Sequence, residues 1–122
     1  EEDRKYELPD GKIIDVDHTI RYPCTEIPFN PSLIGSQDMA VQDMIIDSFE
    51  KCDPDLRVDL YKNIVLSGGN TLCRGYKDRL EAELDERFPS SVSRSDINYV
   101  TEGNRRYAAW IGGSMIGSLS VF

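Results

Sequence analysis

The sequence predicts an α/β domain built around a mainly parallel sheet. Segments typical of strands and of helices alternate along its 122 residues, and this alternation favours parallel strands connected by helices. The clearest unit is an apolar strand at residues 63–66, which is followed by an amphipathic helix and then by a second short strand. In sheets of this kind, ligands bind beyond the carboxyl ends of the strands.

A β-hairpin is predicted at the start of the chain. Residues 9–11, Pro-Asp-Gly, form a strong turn signal between two runs that contain apolar residues. We assign the two arms to residues 6–8 and 12–16. Three prolines follow between positions 23 and 31, and such spacing argues against a regular helix or a central strand. We therefore predict an ordered loop over residues 22–36.

Two helices are predicted to precede the apolar strand. Apolar residues recur at helical spacing over residues 37–51, with Ser36 as a suitable N-cap and Gln42 outside the apolar face. We interpret the apolar stripe as part of the core. Asp53 followed by Pro54 is typical of an N-cap and a first helical residue, so a short helix should begin there.

The second half of the chain continues the alternation. Leucine and aromatic residues recur every four positions and predict a helix over residues 75–87 that ends before Pro89. Residues 97–100 have the composition of a short strand. Residues 108–122 contain many small side chains, which predict a helix or turn packed tightly against another part of the protein.

Composition excludes several functional classes. The net charge of -8 argues against nucleic acid or an anionic membrane as a partner, because either would be repelled. The three cysteines form no C-x-x-C pair and are predicted to be reduced thiols of an intracellular protein. His18 has no partner pattern typical of catalysis. We identify no metal site and no catalytic residue.

The glycines after the apolar strand have two interpretations. Ser67, Gly68 and Gly69 follow the strand directly. Either a tight turn needs a positive φ that glycine adopts easily, or the absent Cβ lets a flat ring or a phosphate approach the backbone. The residues by themselves favour the turn.

Several segments together resemble the actin family, over almost the whole chain. They are, in order, YELPDG, FNPSLIG, KCDPDLR, DLYKNIVLSGGNTL, KDRLEAEL and RRYAAWIGGSMIGSLSVF. The most specific feature is LSGG followed later by YxxWIGGS. The resemblance implies a late portion of the actin-like ATPase fold, which is ribonuclease H-like. It assigns residues 1–36 to a subdomain 4-like part, 37–105 to a subdomain 3-like part and 106–122 to a C-terminal piece of subdomain 1.

The resemblance also implies a nucleotide. Actins are two-lobed ATPases that hold ATP or ADP and a divalent cation in a central cleft. Carried over by position, the residues that border the adenosine are Gly68, Gly69, Asn70, Leu72 and Arg106. Actin proper has a lysine at Arg106, an aromatic residue at Cys73 and a proline at Arg74, which indicates a divergent actin or an actin-related protein. The alternative function is an interaction module that no longer binds nucleotide.

Partner surfaces are implied in the same way. Residues of a hydrophobic groove for regulators and neighbouring protomers would be Met115, Ile116, Leu119 and Val121, and a contact loop would present Leu33 and Ile34. The family's phosphate loops and cation-holding residues precede Glu1 in order, so we expect this chain alone to be inactive as an ATPase. The expected location is the cytoplasmic cytoskeleton, or the nucleus for a nuclear actin-related protein.

Overall fold

The computed structural model describes residues 4–120. It contains both helices and strands, which confirms the predicted mixed α/β class. The chain consists of two compact units that divide between Asp43 and Met44, within the helix Val41–Glu50.

The first unit begins with the predicted hairpin. Strands β1 (Arg4–Glu7) and β2 (Ile13–Val16) pair antiparallel. In the turn between them, the Asp10 carboxylate accepts a hydrogen bond of 3.0 Å from the Lys12 N–H, and Gly11 has a φ of +83°. This positive φ explains why glycine is suited to that position. The hairpin prediction is confirmed, with a first strand that starts earlier than expected.

Helix α1 (His18–Glu26) replaces the first part of the predicted loop, so the prediction is wrong for residues 22–26. Asp17 caps the helix, since its side chain accepts hydrogen bonds of 2.9 and 3.2 Å from two N–H groups of the first turn. Pro23 lies inside the helix, where it removes one backbone donor. The rest of the loop includes a short 3₁₀ turn at Pro31–Ile34.

Helix α2 (Val41–Glu50) begins later than predicted, because Ser36 does not cap it. The Ser36 hydroxyl instead accepts a hydrogen bond of 3.1 Å from the Asp38 N–H. Gln42 is buried, with 4% of its surface exposed, so its predicted outward position is wrong. Its side-chain amide donates a hydrogen bond of 2.9 Å to the Phe29 carbonyl, and this bond satisfies a backbone acceptor in the interior.

The second unit contains the predicted parallel strands. Helix α3 (Pro54–Tyr61) starts with proline as predicted, although the Asp53 side chain makes no capping hydrogen bond. Strand β3 (Ile64–Val65) pairs parallel with β4 (Tyr99–Val100). These are the predicted strands in shortened form. Within residues 44–120 this sheet has two strands, so it is smaller than an α/β sheet usually is.

Helix α4 (Tyr76–Arg87) follows β3 as predicted and supplies the centre of the core. Its Leu80 and Leu84 are the most completely buried large side chains among the described residues. Three aromatic rings pack together in the same unit, with centroid distances of 5.0 to 6.2 Å. They belong to Phe49, Tyr61 and Phe88. Packed leucines and aromatic rings therefore stabilise this unit.

Helix α5 (Ala108–Gly117) is exposed, which contradicts the predicted tight packing. A Cβ atom built on any of its glycines would meet no atom within 4 Å. Large apolar side chains also face solvent, with Trp110 76% exposed and Met115 64% exposed. The segment expected to be a helix or turn is a helix. Among residues 44–120 only the first part of this helix is partly covered, and the rest is exposed.

Candidate functional site

The glycine-rich strand end forms a sharp turn after β3, at residues 68–71, which we call the glycine turn. Gly68 has φ +94° and ψ 155°, a combination that essentially only glycine adopts. Its N–H donates a hydrogen bond of 2.9 Å to the Arg105 carbonyl. The turn interpretation from the sequence therefore accounts for Gly68.

Gly69 is not explained by the turn. The described residues with positive φ do not include Gly69, so its backbone conformation suits any residue. A Cβ atom at this position would lie 3.8 Å from Cγ and 4.0 Å from Nε of Arg106. Two residues assigned to the adenosine side by resemblance are thus neighbours in space. The Arg106 side chain therefore lies close to the backbone of Gly69, which carries no side chain.

The remaining predicted loop residues belong to the same short segment. Asn70 and Leu72 lie in a 3₁₀ turn, Gly69–Leu72, and both are exposed. The N–H groups of Gly69 and Asn70 donate no hydrogen bond to any residue between 4 and 120, which leaves them available as donors. The structure brings all five predicted adenosine-side residues to the carboxyl end of β3.

Arg106 presents an exposed guanidinium at this site. It has no hydrogen-bond or salt-bridge partner in the part of the chain that the structure describes. Its central carbon lies 5.7 Å from the centre of the Tyr107 ring. A guanidinium is planar and stacks on flat rings. Arg106 is therefore free to contact a flat or anionic ligand.

Arg105 is a site residue that the sequence analysis missed. Its Nε donates to the Thr71 hydroxyl at 2.9 Å, and one of its terminal nitrogens donates to the Thr71 carbonyl at 2.9 Å. The Thr71 hydroxyl in turn donates to the Gly68 carbonyl at 2.8 Å. The pair of adjacent arginines was the only signal in the sequence, because Thr71 and Arg105 are 34 residues apart.

Two tyrosines near this segment have raised pKa values. Burial raises the pKa of Tyr76, and the negative charge of a Cys73 thiolate would raise it further. Burial also raises the pKa of Tyr99 to about 12, with smaller contributions from the Glu81 and Asp85 carboxylates. Both phenols are therefore neutral at physiological pH.

The predicted partner residues lie on exposed segments, each in its own unit. Leu33 and Ile34 occupy the 3₁₀ turn of the first unit and are 48% and 64% exposed. In the second unit, Ile116 of α5 and Leu119 beyond its end are about as exposed as Met115. Val121 lies outside the described residues.

Residues 4–120 offer neither a metal-binding cluster nor a membrane-spanning helix. These residues contain no cluster of three or more histidine, cysteine, aspartate or glutamate side chains that could hold a metal ion. They also contain no helix with the length and apolar character that crossing a bilayer requires. The three cysteines form no disulfide bond in the structure.

The comparisons with known proteins define an actin-like class, with which the mixed helix and strand content is consistent. A family model described as Actin matches residues 1–122. The protein named "Putative actin-29" of Dictyostelium discoideum is 38% identical over 120 residues, which cover 98% of this chain. The chain belongs to the actin family. It spans 31% of the length of that Dictyostelium protein.

Proposed function

We propose that this chain supplies the adenosine side of the nucleotide cleft of an actin-like, ATP-binding cytoskeletal protein. The observation that supports this most directly is the proximity of Gly69 to Arg106 at the end of a parallel strand. Since the backbone at Gly69 suits any residue, the turn does not require glycine there. A flat ligand that lies against this peptide next to a guanidinium would be a separate requirement for glycine.

The residues of this chain would bind and orient the nucleoside. The base would lie against the Gly69 peptide, with the Arg106 guanidinium beside it and free N–H groups of the 3₁₀ turn as donors. Leu72 adds an exposed apolar side chain at the same end. ATP or ADP, when bound, supplies the phosphate groups, and its divalent cation would be held by residues outside this chain.

We also assign two partner surfaces. Other actin-like protomers or regulatory proteins would contact the exposed apolar residues of α5 and of the 3₁₀ turn Pro31–Ile34. An amphipathic helix of a partner could cover the large apolar side chains of α5. This proposal locates the protein in the cytoplasmic cytoskeleton, or in the nucleus for a nuclear actin-related protein.

The second candidate function is an interaction module without nucleotide. The exposed apolar surface of α5 suits this function as well as the first, since such surfaces mark contact sites whether or not ATP binds. Cys73 and Arg74, which are exposed beside the glycine turn, differ from actin proper at these positions. The proposal implies a longer actin-like polypeptide that contains this chain, called here the full-length protein. Calorimetric titration of the full-length protein with ATP separates the two functions, because the module would release no binding heat.

The 122-residue chain alone is expected to release phosphate from ATP no faster than buffer. Phosphoryl transfer depends on charges and metal ions around the γ-phosphate, whereas the proposed contacts of this chain are with the nucleoside. A phosphate-release assay on the chain and on the full-length protein tests this expectation. Phosphate release by the chain clearly above the buffer rate, at a rate comparable to that of an active full-length protein, would contradict it.

Acidic substitutions on the partner surfaces should weaken assembly or partner binding. We expect Ile116→Asp to reduce affinity about fivefold or more, because a charge replaces an exposed apolar contact, a loss of roughly 1 kcal/mol. Leu33→Asp combined with Ile34→Asp should act similarly on the other surface. Sedimentation or binding titration of the full-length protein provides the measurement.

Matched controls separate the loss of a contact from the added charge. Ser114→Asp adds a carboxylate to α5 and Gln37→Asp adds one near the 3₁₀ turn, and neither removes an exposed apolar side chain. We expect both controls to retain assembly. Wild-type behaviour of the Ile116 variant and of the double variant would show that neither surface is an interface.

A further inference from the structure

We infer that Arg105 is a positioning residue that holds the glycine turn beside Arg106, so that the adenosine side of the site is formed before a nucleotide binds. This inference rests on the proposed function. It assigns different tasks to two neighbouring arginines, since Arg105 orders the site and Arg106 contacts the ligand.

Arg105 is connected to the glycine turn by hydrogen bonds that converge on Thr71, and we call this connection the tie. The Arg105 guanidinium donates to both the hydroxyl and the carbonyl of Thr71, each at 2.9 Å, in a two-pronged geometry that lysine cannot reproduce. Thr71 is buried, so loss of these donors would leave acceptors in the interior without partners. The Thr71 hydroxyl extends the tie to the Gly68 carbonyl.

The backbone closes the same arrangement from the other side. The Gly68 N–H donates to the Arg105 carbonyl at 2.9 Å, so side chain and backbone of one arginine bond to both ends of the turn. Arg105 in addition donates to the Glu102 carbonyl at 3.3 Å. Its guanidinium therefore already donates hydrogen bonds to protein acceptors, and it is poorly suited to contact a ligand.

Such a tie has a direct consequence for affinity. The glycine turn and the 3₁₀ turn Arg105–Tyr107 are far apart in sequence, and the proposed site needs both. If they are already held together, ligand binding does not have to order them. Loss of the tie should therefore weaken binding and also loosen the turn when no ligand is present.

The experiment compares three variants of the full-length protein. Arg105→Lys keeps the positive charge but loses the two-pronged geometry, and Thr71→Val removes the hydroxyl with little change in shape. Thr71→Ser, which retains the hydroxyl, is the matched control. The two measurements are ATP affinity by calorimetry and amide hydrogen exchange of residues 67–75 in nucleotide-free protein.

We expect Arg105→Lys and Thr71→Val each to lower ATP affinity about threefold to tenfold, a change of roughly 0.7 to 1.4 kcal/mol. Both should raise exchange over residues 67–75 in the free protein, while Thr71→Ser stays within about twofold of the wild type in affinity. A further variant that combines Arg105→Lys with Thr71→Val should lose little more affinity than either single variant, since both substitutions break the same Arg105–Thr71 connection.

The outcomes distinguish this inference from the proposed function. If the wild type binds ATP and Gly69→Val weakens it, but neither tie variant lowers affinity, the inference fails and the proposed function stands. Increased exchange with unchanged affinity would show a purely structural tie, and reduced affinity with unchanged exchange would show direct ligand contact. Either result overturns the inference. If the wild type binds no adenine nucleotide, the proposed function fails together with the inference.

Discussion

Gly69→Val should reduce the affinity of the full-length protein for ATP tenfold or more. The new Cβ would lie 3.8 Å from Cγ of Arg106. The two methyl groups that it carries would add bulk beyond this contact, where the base is proposed to lie. Because Gly69 has no positive φ, valine does not strain the backbone, and the fold should persist. A tenfold loss corresponds to about 1.4 kcal/mol, which one displaced contact can account for.

Gly69→Ala is the matched control for this effect. A Cβ atom alone is at ordinary contact distance from Arg106, so alanine should fold normally and lose less affinity than valine. Circular dichroism of both variants verifies the fold, and calorimetry measures affinity. Wild-type affinity of a folded Gly69→Val variant would remove the main support for the nucleoside site and favour the interaction module.

Leu84→Ala should lower the free energy of unfolding by about 2–5 kcal/mol, the usual range for a buried leucine. Leu84 has no exposed surface, so the substitution leaves a cavity in the core of the second unit. Alanine forms helices at least as well as leucine, so the loss would come from packing. Urea denaturation of the 122-residue chain, followed by far-ultraviolet circular dichroism, measures the change.

Leu56→Ala is the comparison that isolates burial. Leu56 also lies in a helix, α3, but 54% of its surface is exposed. Its substitution should cost well under about 1 kcal/mol, because little apolar surface returns to water. Equal effects of the two substitutions would mean that Leu84 is not part of a close-packed core.

The features that the sequence predicted well depend on local signals. The Pro-Asp-Gly turn contains its own hydrogen bond from Lys12 to Asp10, and Gly11 adopts the φ that the hairpin turn requires. The order of strand, glycine turn and helix from β3 to α4 likewise follows from composition and spacing. The resemblance to the actin family added the residues that we propose for the adenosine side, which no spacing rule would have specified.

The features that sequence analysis missed depend on longer-range contacts or on competing local signals. The Asp17 cap outweighs Pro23 in α1, and rules about proline alone give the wrong result there. The buried position of Gln42 depends on the Phe29 carbonyl, which is 13 residues away. The position of the Arg105 side chain similarly depends on its hydrogen bonds to Thr71. No periodicity in the sequence encodes such pairs, because tertiary packing selects them.

The exposure of α5 makes Trp110 a spectroscopic reporter. It is the chain's single tryptophan, so intrinsic indole fluorescence from this segment arises from one position. An indole that is 76% exposed emits at long wavelength, and coverage by an apolar surface shifts the emission to shorter wavelength. Contact at this helix can therefore be followed in solution without a label, and the signal is assigned to one helix face from the outset.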